Sequence, residues 1–295
     1  MVHRCGYIAI VGRPNVGKST LLNRMLGQKI SITSRKPQTT RHRILGIKTT
    51  PEVQFVFTDT PGLHRGSRHL VNRIMNRAAA GALEEADVIL MVTDCTRWTE
   101  EDDYVVDLLK SVRAQVVMAL NKVDKVKDKD LLLPQIAAAR DKHAFADIVP
   151  VSATTGLQLA ELEQAIARYL PEAPPFFPEE QVTDRSERFL AAELIREKLM
   201  RHLGKEVPYS TTVEIESFEE EEGLTRVNAV IWVEREAQKA IVIGKDGRML
   251  KRIGQEARVD MEHMLGTKVF LQTWVKVKEQ WSDDERALRG FGYVE

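Results

Sequence analysis

The chain has 295 residues, 43% hydrophobic and 29% charged, with 43 Lys+Arg against 43 Asp+Glu. That length suggests two domains, each able to bury a core of its own. A net charge of zero by itself singles out neither nucleic acid nor membrane; two isolated cysteines, Cys5 and Cys95, argue against a disulfide framework and against zinc; and no apolar run approaches the ~20 residues of a membrane span.

The N-terminus enters a first strand within a few residues, which leaves no room for a signal peptide. Tyr7–Val11 is that strand, continuously apolar and β-branched; Leu21, Leu22, Met25 and Leu26 then recur at helical spacing before Gly27. Between them Gly12-Arg13-Pro14-Asn15-Val16-Gly17-Lys18-Ser19 spells G-x-x-x-x-G-K-[ST], a phosphate-binding loop in the strand–turn–helix setting the motif needs. Gly12 and Gly17 let backbone N–H groups turn toward phosphate oxygens, and the helix N-terminus at Ser19-Thr20 adds its dipole. Lys18 neutralises the outer phosphates, and the Ser19 hydroxyl can ligate Mg²⁺.

Residues 28–43 are polar and read as a mobile loop, followed by a strand pair, Ile44–Lys48 and Val53–Phe57. Directly after it, Asp59-Thr60-Pro61-Gly62 is D-x-x-G at a strand end, where an acid can hold Mg²⁺ through water and the Gly62 N–H can meet a terminal phosphate. A helix over 69–85, a buried strand at Ala86–Thr93, a helix at Glu100–Lys110 and a buried strand at Val116–Leu120 follow. The last ends at Asn121-Lys122-Val123-Asp124, N-K-x-D. A carboxylate at Asp124 accepts both N1–H and the 2-amino group of guanine, which adenine lacks, so such a site rejects adenine strongly. Lys122 can lie along the base plane and Asn121 can brace the loop. A helix over Leu131–His143, a strand over Ile148–Val151, a turn at Ser152-Ala153-Thr154 whose N–H groups suit guanine O6, and a helix over Leu157–Leu170 close this half. Alternating strands and helices predict a mostly parallel sheet with helices on both faces, its motifs at the carboxyl ends of strands.

The ordered set Gly12–Ser19, Thr40, Asp59–Gly62, Asn121–Asp124 and Ser152-Ala153 resembles the translation-factor-related GTPases. The stretches QKISITSRKPQTTRHR (28–43), RFLAAELIREKLMRHL (188–203), GKDG (244–247) and WVKVK (274–278) resemble, more narrowly, the bacterial Era family, and the resemblance spans essentially the whole chain. It implies a GTP/GDP switch with Mg²⁺ held by Ser19, Thr40 and Asp59, catalytic roles for Lys18, Thr40 and Gly62, and Thr40 rather than Thr39 as the threonine that reaches the γ-phosphate. Ras-type GTPases place a water-orienting Gln directly after D-x-x-G. Here that position is Leu63, which cannot hydrogen-bond to water, although the resemblance includes GTPases with an apolar residue there. The expectation is slow intrinsic hydrolysis, with water held by switch backbone such as the Thr40 carbonyl.

Pro171–Pro178 is proline-dense, so residues 171–183 read as a semi-rigid linker between a domain at 1–170 and another at 184–295. Phe176 and Phe177 are expected to pack onto a domain. Glu187–Leu203 is an amphipathic helix with Arg196, Lys198 and Arg201 off its apolar face. Thr211–Phe218 and Val227–Val233 alternate as strands around a solvated acidic tip, Glu219–Gly223. Next, Gly244-Lys245-Asp246-Gly247 is G-x-x-G before a helix, with Arg248, Lys251 and Arg252 following, and Val269–Lys278 is a last strand. The order helix, strand, strand, helix, G-x-x-G, helix, strand resembles an α+β type II KH domain, which clamps about four nucleotides of single-stranded nucleic acid. Trp274 at strand spacing is expected in the core, Trp281 in packing, and residues 282–284 as the cap of a short helix, Asp284–Arg289. The histidines show no metal spacing and read as surface or packing residues, with His42 a candidate participant in the switch loop.

The resemblance implies 16S ribosomal RNA near its 3′ end and the small (30S) ribosomal subunit as partners, no DNA, and a cytoplasmic location that allows peripheral contact with the inner membrane. Two competing readings are a nucleotide-gated RNA chaperone or assembly checkpoint in which hydrolysis only resets binding, and an RNA-directed ATPase or kinase, which Asn121–Asp124 argues against.

Overall fold

The computed structural model describes residues 3–61, 70–128, 130, 132–204 and 206–293. The chain divides into two compact units: one of residues 3–31, 40–61 and 75–184, the other of residues 32–39, 70–74 and 185–293.

Among its described residues the first unit is built on a six-stranded sheet: β1 (Arg4–Val11), β2 (Ile44–Thr49), β3 (Val53–Asp59), β4 (Val88–Asp94), β5 (Gln115–Asn121) and β6 (Asp147–Pro150), in the order β2-β3-β1-β4-β5-β6. Only β2 runs antiparallel to its neighbour. The unbroken apolar runs of β1, β4 and β5 are buried on both sides, as a covered parallel sheet requires. Helices α1 (Lys18–Leu26), α2 (Leu70–Glu85), α3 (Glu100–Leu109), α4 (Leu132–Lys142) and α5 (Leu159–Ala167) are the connections. The parallel sheet with crossover helices is the expected α/β class. Because β1 lies between β3 and β4, the chain leaves its carboxyl end at the point where strand order reverses, where open α/β sheets hold ligands.

Some expectations shift. Residues 171–184, which take in the stretch read as a semi-rigid linker, lie along the first unit. Pro171 O accepts from Cys5 N–H, Val182 O accepts from Ile47 N–H at 2.8 Å, and the Asp184 carboxylate accepts from Leu45 N–H at 2.9 Å, so this stretch covers the exposed edge of β2. Phe177 packs with Cys5, Ile47 and Val56, and Phe176 stacks on Tyr7. The helix expected from Leu157 begins at Leu159: Gly156 and Gln158 both take positive φ (85° and 57°), Ser152 N–H donates to Leu157 O, and Leu157 is left exposed. Gly62, Leu63, His69 and Leu131, on which sequence expectations fell, lie outside the described residues.

The second unit carries α6 (Glu187–His202), β7 (Thr211–Glu221), β8 (Leu224–Val233), α7 (Glu236–Ile243), α8 (Arg248–Leu265), β9 (Lys268–Val277) and α9 (Glu285–Gly290). Its strands order as β7-β8-β9, with β8 and β9 parallel, the expected type II KH arrangement. Leu194, Ile195 and Leu199 of α6 and Ile253, Ala257 and Met261 of α8 share one core with Ile215, Ala229, Ile231, Val269 and Val275. The acidic tip is exposed, Trp281 is fully buried, and Asp284 caps α9 by accepting from Arg286 N–H at 2.9 Å. Trp274 departs from its expected core position and is 42% exposed: it alternates with Phe270 on the face of β9 opposite Val269 and Val275.

Gln54, buried on β3, takes the Phe176 and Phe177 N–H groups on Oε1 at 2.7 and 3.0 Å and donates Nε2 to Phe177 O at 2.8 Å. Gln54→Ala strands these groups, each worth about 1–3 kcal/mol when buried unpaired. The expected result is a lowered melting temperature and faster hydrogen exchange at the Phe176 and Phe177 amides; unchanged protection there would refute the anchoring role.

Candidate functional site

Local backbone demands explain the loop between β1 and α1. Gly12 has φ 146°, and a Cβ there would meet Val92 O at 2.3 Å. Gly17 has φ 105°, and a Cβ would meet Asn121 Nδ2 at 2.4 Å. Asn15 takes φ 64°, a left-handed conformation that Asn tolerates better than most. Arg13 is tied outward: its Nε donates to Asp102 of α3 at 2.9 Å and its Nη2 to Arg97 O at 3.1 Å. Val16 is fully buried beneath the loop. The Lys18 ammonium folds back onto Gly12 O at 2.8 Å and Arg13 O at 3.1 Å, and it is 8% exposed. Burial pulls its pKa down to about 8, opposed by the nearby Asp59 carboxylate.

Asp59, at the end of β3, is fully buried. Its Oδ2 accepts from Ser31 Oγ at 2.6 Å, Ser19 Oγ at 2.9 Å and Thr40 Oγ1 at 3.4 Å, and Ser19 Oγ lies 3.0 Å from Thr40 Oγ1. Its Oδ1 has no hydrogen-bond partner among the described residues. Burial pushes this carboxyl up, against the hydroxyls and Lys18, which favour the ionised form. A carboxylate with one unmet oxygen beside two hydroxyls is an all-oxygen donor set of the kind hard divalent cations take. Thr39, by contrast, spends its hydroxyl on Lys36 O at 2.8 Å. Thr60 donates to Ile10 O at 3.0 Å, and Pro61 is buried beside it.

The second cluster lies at the ends of β5 and β6. Asn121 donates to Val16 O at 2.8 Å and accepts from Ala153 N–H at 3.0 Å and Lys122 N–H at 2.8 Å, so one amide links three loops. Ala153 N–H, an expected donor to a base, thus points to Asn121. Lys122 takes φ 70° and donates Nζ to Asn15 O at 2.7 Å and Asp94 at 2.6 Å. Asp124 is exposed and accepts from Ser152 Oγ at 2.6 Å. Gly17, Thr20, Asn121, Lys122, Asp124 and Ala153 are among the residues lining a cavity of about 110 Å³.

Sequence reading missed four residues here. Asn23 holds the loop after α1 by accepting from Ile30 and Ser31 N–H, both at 3.0 Å. Ser31 adds a third hydroxyl on Asp59. Asp94 and Asp102 anchor Lys122 and Arg13. Asn23 and Ser31 belong to no motif, Asp94 was marked only by its strand-end position, and Asp102 only as the capping-box partner of Thr99 at the start of α3.

In the second unit the G-x-x-G turn joins α7 to α8. Gly244 (φ 71°) packs where a Cβ would meet Met249 Cβ at 2.6 Å, whereas Gly247 (φ 73°) faces open space and Asp246 takes φ 55°. Arg248 pairs with Asp246 at 3.0 Å and Arg252 with Glu256 at 3.1 Å; Lys245 and Lys251 are exposed. No helix among the described residues is long and apolar enough to cross a membrane.

Residues 7–122 match the family of 50S ribosome-binding GTPases, and residues 206–282 match the KH domain family. GTPase Era of Coxiella burnetii (strain Dugway 5J108-111) is 56% identical over 291 residues, covering 99% of this chain and 98% of that one. GTPase Era of Pseudomonas aeruginosa (strain LESB58) is 57% identical over 290 residues, covering 98% and 95%. A solved structure of Era in complex with MgGDPNP and nucleotides 1506–1542 of 16S ribosomal RNA matches with 42% identity and a TM-score of 0.95 over 99% of this chain and 100% of that one. A variant of Aquifex aeolicus Era bound to GDP and aluminium fluoride matches with the same identity, TM-score and coverage. With relatives this similar over nearly its full length, the chain belongs to the Era family of GTPases.

Proposed function

We propose that this GTPase couples a guanine-nucleotide switch to recognition of 16S ribosomal RNA near its 3′ end, and that it acts in assembly and maturation of the small ribosomal subunit. The observation that carries the reading is the presence, in one chain, of a phosphate loop beside the Ser19–Thr40–Asp59 oxygen cluster and of an open glycine turn at Gly247 between two helices. The relative solved with 16S nucleotides supports it. A role in subunit assembly goes with a cytoplasmic protein whose membrane contact, where it occurs, is peripheral.

The loop Gly12–Ser19 wraps the phosphates with its N–H groups, and Lys18 exchanges its two carbonyl partners for phosphate oxygens. Ser19, Thr40 and Asp59 would hold Mg²⁺, the unmet Asp59 Oδ1 being the oxygen of that set with no other partner among the described residues. When bound, the ion neutralises charge on the β- and γ-phosphate oxygens. Asp124 takes the N1–H and 2-amino group of guanine, Lys122 flanks the base, and Asn121 keeps both ends of the site in register. Water held by the Thr40 carbonyl attacks in line, without a side-chain base. In the second unit, Gly244–Gly247 admits an RNA backbone, and Lys245, Arg248, Lys251 and Arg252 meet its phosphates.

Three outcomes test this. Asp124→Asn should invert base preference, losing GTP by orders of magnitude and gaining xanthosine triphosphate; equal affinity of the variant for both would remove Asp124 from base recognition. Nucleotide affinity should fall as pH rises above about 8, the value to which burial lowers free Lys18. Phosphates favour its charged form, so binding above that pH takes up a proton, and affinity drops by up to about tenfold per pH unit. The sign for folding is the reverse: the penalty of burying charged Lys18 is full below about 8 and is relieved as pH rises toward 10.5. Titration of a fluorescent GDP analogue between pH 7 and 9.5 reads the first effect, and a flat profile would exclude it. Finally, Gly247→Asp puts a carboxylate where RNA phosphate would approach, a like-charge contact that costs on the order of several kcal/mol. It should abolish binding of an oligonucleotide matching the 3′ end of 16S RNA while RNA-free single-turnover hydrolysis stays unchanged.

A further inference from the structure

Ser31 belongs to no nucleotide motif, yet it is fully buried in the first unit with its hydroxyl on Asp59. At 2.6 Å this is shorter than the contacts of Ser19 at 2.9 Å and Thr40 at 3.4 Å with the same oxygen, Oδ2. An alanine beside buried Ile30 would bring no polar atom there, and a buried hydroxyl costs stability unless it is hydrogen-bonded. The backbone of Ser31 is seated by one amide. Asn23 Oδ1 accepts from Ile30 and Ser31 N–H, both at 3.0 Å, and Asn23 Nδ2 donates to Ser31 O at 2.6 Å. Asn23 follows Ser19 by one turn on the same face of α1. That helix therefore supplies one donor to Asp59 directly, through Ser19, and sets the second through Asn23.

A carboxylate oxygen has about two lone-pair directions. Ser31 and Ser19 take those of Oδ2, while Oδ1 has no hydrogen-bond partner among the described residues. Were these contacts there only to stabilise a buried acid, donors spread over both oxygens would serve better, because a buried acceptor left unmet costs free energy. Gathered on Oδ2, they fix direction instead. The carboxylate cannot turn about its last bond without breaking both, so Oδ1 keeps one heading. Ser19 and Thr40 are themselves in the oxygen set proposed for Mg²⁺. Ser31 is outside it, so its hydroxyl can hold Oδ2 with or without the ion.

We infer that Ser31, seated by Asn23, is a positioning residue for Asp59: its hydroxyl holds Oδ2 so that Oδ1 stays turned to the cation position. This role rests on the cation-holding role given to Asp59 above. It adds to the nucleotide site two residues, on α1 and in the loop after it, that touch neither phosphate nor metal and act only through the carboxylate.

The test uses the full chain as wild type, Ser31→Ala, Asn23→Ala, Asp59→Asn and the double variant Ser31→Ala with Asp59→Asn. Release of a fluorescent GDP analogue is followed over a series of Mg²⁺ concentrations and in excess chelator, with melting temperature recorded alongside. Losing a group that orients a metal ligand typically costs about 10–100-fold in metal affinity. Ser31→Ala should therefore raise the Mg²⁺ concentration that half-slows release by about 10–100-fold. In chelator, where no ion is held, its release rate should stay within about twofold of wild type, the spread expected for sites that do not interact. Asn23→Ala should move the Mg²⁺ midpoint in the same direction. Added to Asp59→Asn, Ser31→Ala should move it no further, since both act through one carboxylate. A serine that merely packs the loop would, on removal, speed release equally with and without Mg²⁺. That result would overturn the inference, as would an unchanged midpoint in Ser31→Ala or shifts that multiply in the double variant. Should Ser31→Ala fail to fold, Asn23→Ala is held to the same pattern and decides by the same outcomes. If Asp59→Asn keeps the wild-type response to Mg²⁺, the role of Asp59 falls; if Asp59→Asn loses that response and Ser31→Ala keeps it, only the role of Ser31 falls.

Discussion

A carboxylate buried away from water must be met by donors or by a cation, and Asp59 is such a carboxylate at the carboxyl end of β3. The parallel pairing of β1 and β3 sets it opposite Ile10, two residues before Gly12, so sheet register alone brings an acid to the phosphate loop. Its Oδ2 then dictates where the chain between α1 and β2 can run: Ser31 early in that connection and Thr40 near its end both return to the oxygen that Ser19 also meets. One acceptor closes a polar loop that has no strand or helix of its own. The unmet Oδ1 is the position at which a cation or its water would complete the arrangement under the proposed function.

The end of the site at β5 and β6 is held by the same logic with a neutral group. Asn121 has two donors and one acceptor oxygen, and it spends them on the phosphate loop, its own loop and the loop after β6. Lys122 adds a second tie to the phosphate loop at Asn15 and is itself steadied by Asp94. The two ends therefore share the segment Asn15–Gly17, and a nucleotide spanning them meets a surface already braced before it arrives. Preorganisation of this kind is where electrostatic stabilisation of phosphoryl transfer comes from.

Legibility in the sequence followed the range of each constraint. Gly12 and Gly17 were readable because their requirement is local, a backbone conformation and a close approach that any side chain would obstruct. The parallel sheet was readable from apolar runs, since covered strands need no alternation. Spacing could not separate Thr40 from Thr39 without the family resemblance; the difference lies in which hydroxyl turns toward Asp59 and which closes on Lys36. Asn23 and Ser31 had no signature at all, because their partners are set by how a loop folds back; Asp102 sits in a Thr99-x-x-Asp102 helix cap, whose spacing says nothing of its contact with Arg13. Trp274 shows the limit of alternation. A period of two assigns Phe270 and Trp274 to one face of β9 and Val269 and Val275 to the other, yet it cannot say which face the helices cover.

Helix α6 shows the same limit in charge. Its apolar residues predict one buried stripe, but Glu193, Arg196, Glu197 and Lys198 are buried as well. Each has a counterpart: Arg196 with Glu193, Lys198 with Asp260, Glu197 with Arg201. Such pairs contribute little net stability, since desolvation offsets most of the attraction. What they do supply is direction, because a paired guanidinium or carboxylate presents its remaining donors and acceptors at fixed angles. Along α6 those remaining groups meet the backbone of Thr33 and Thr39, and a helix that needed only to fill a core could have met that backbone with apolar side chains instead. The polar side of α6 is therefore better understood as a template for the segment Ile32–Thr39 than as part of the core it also closes.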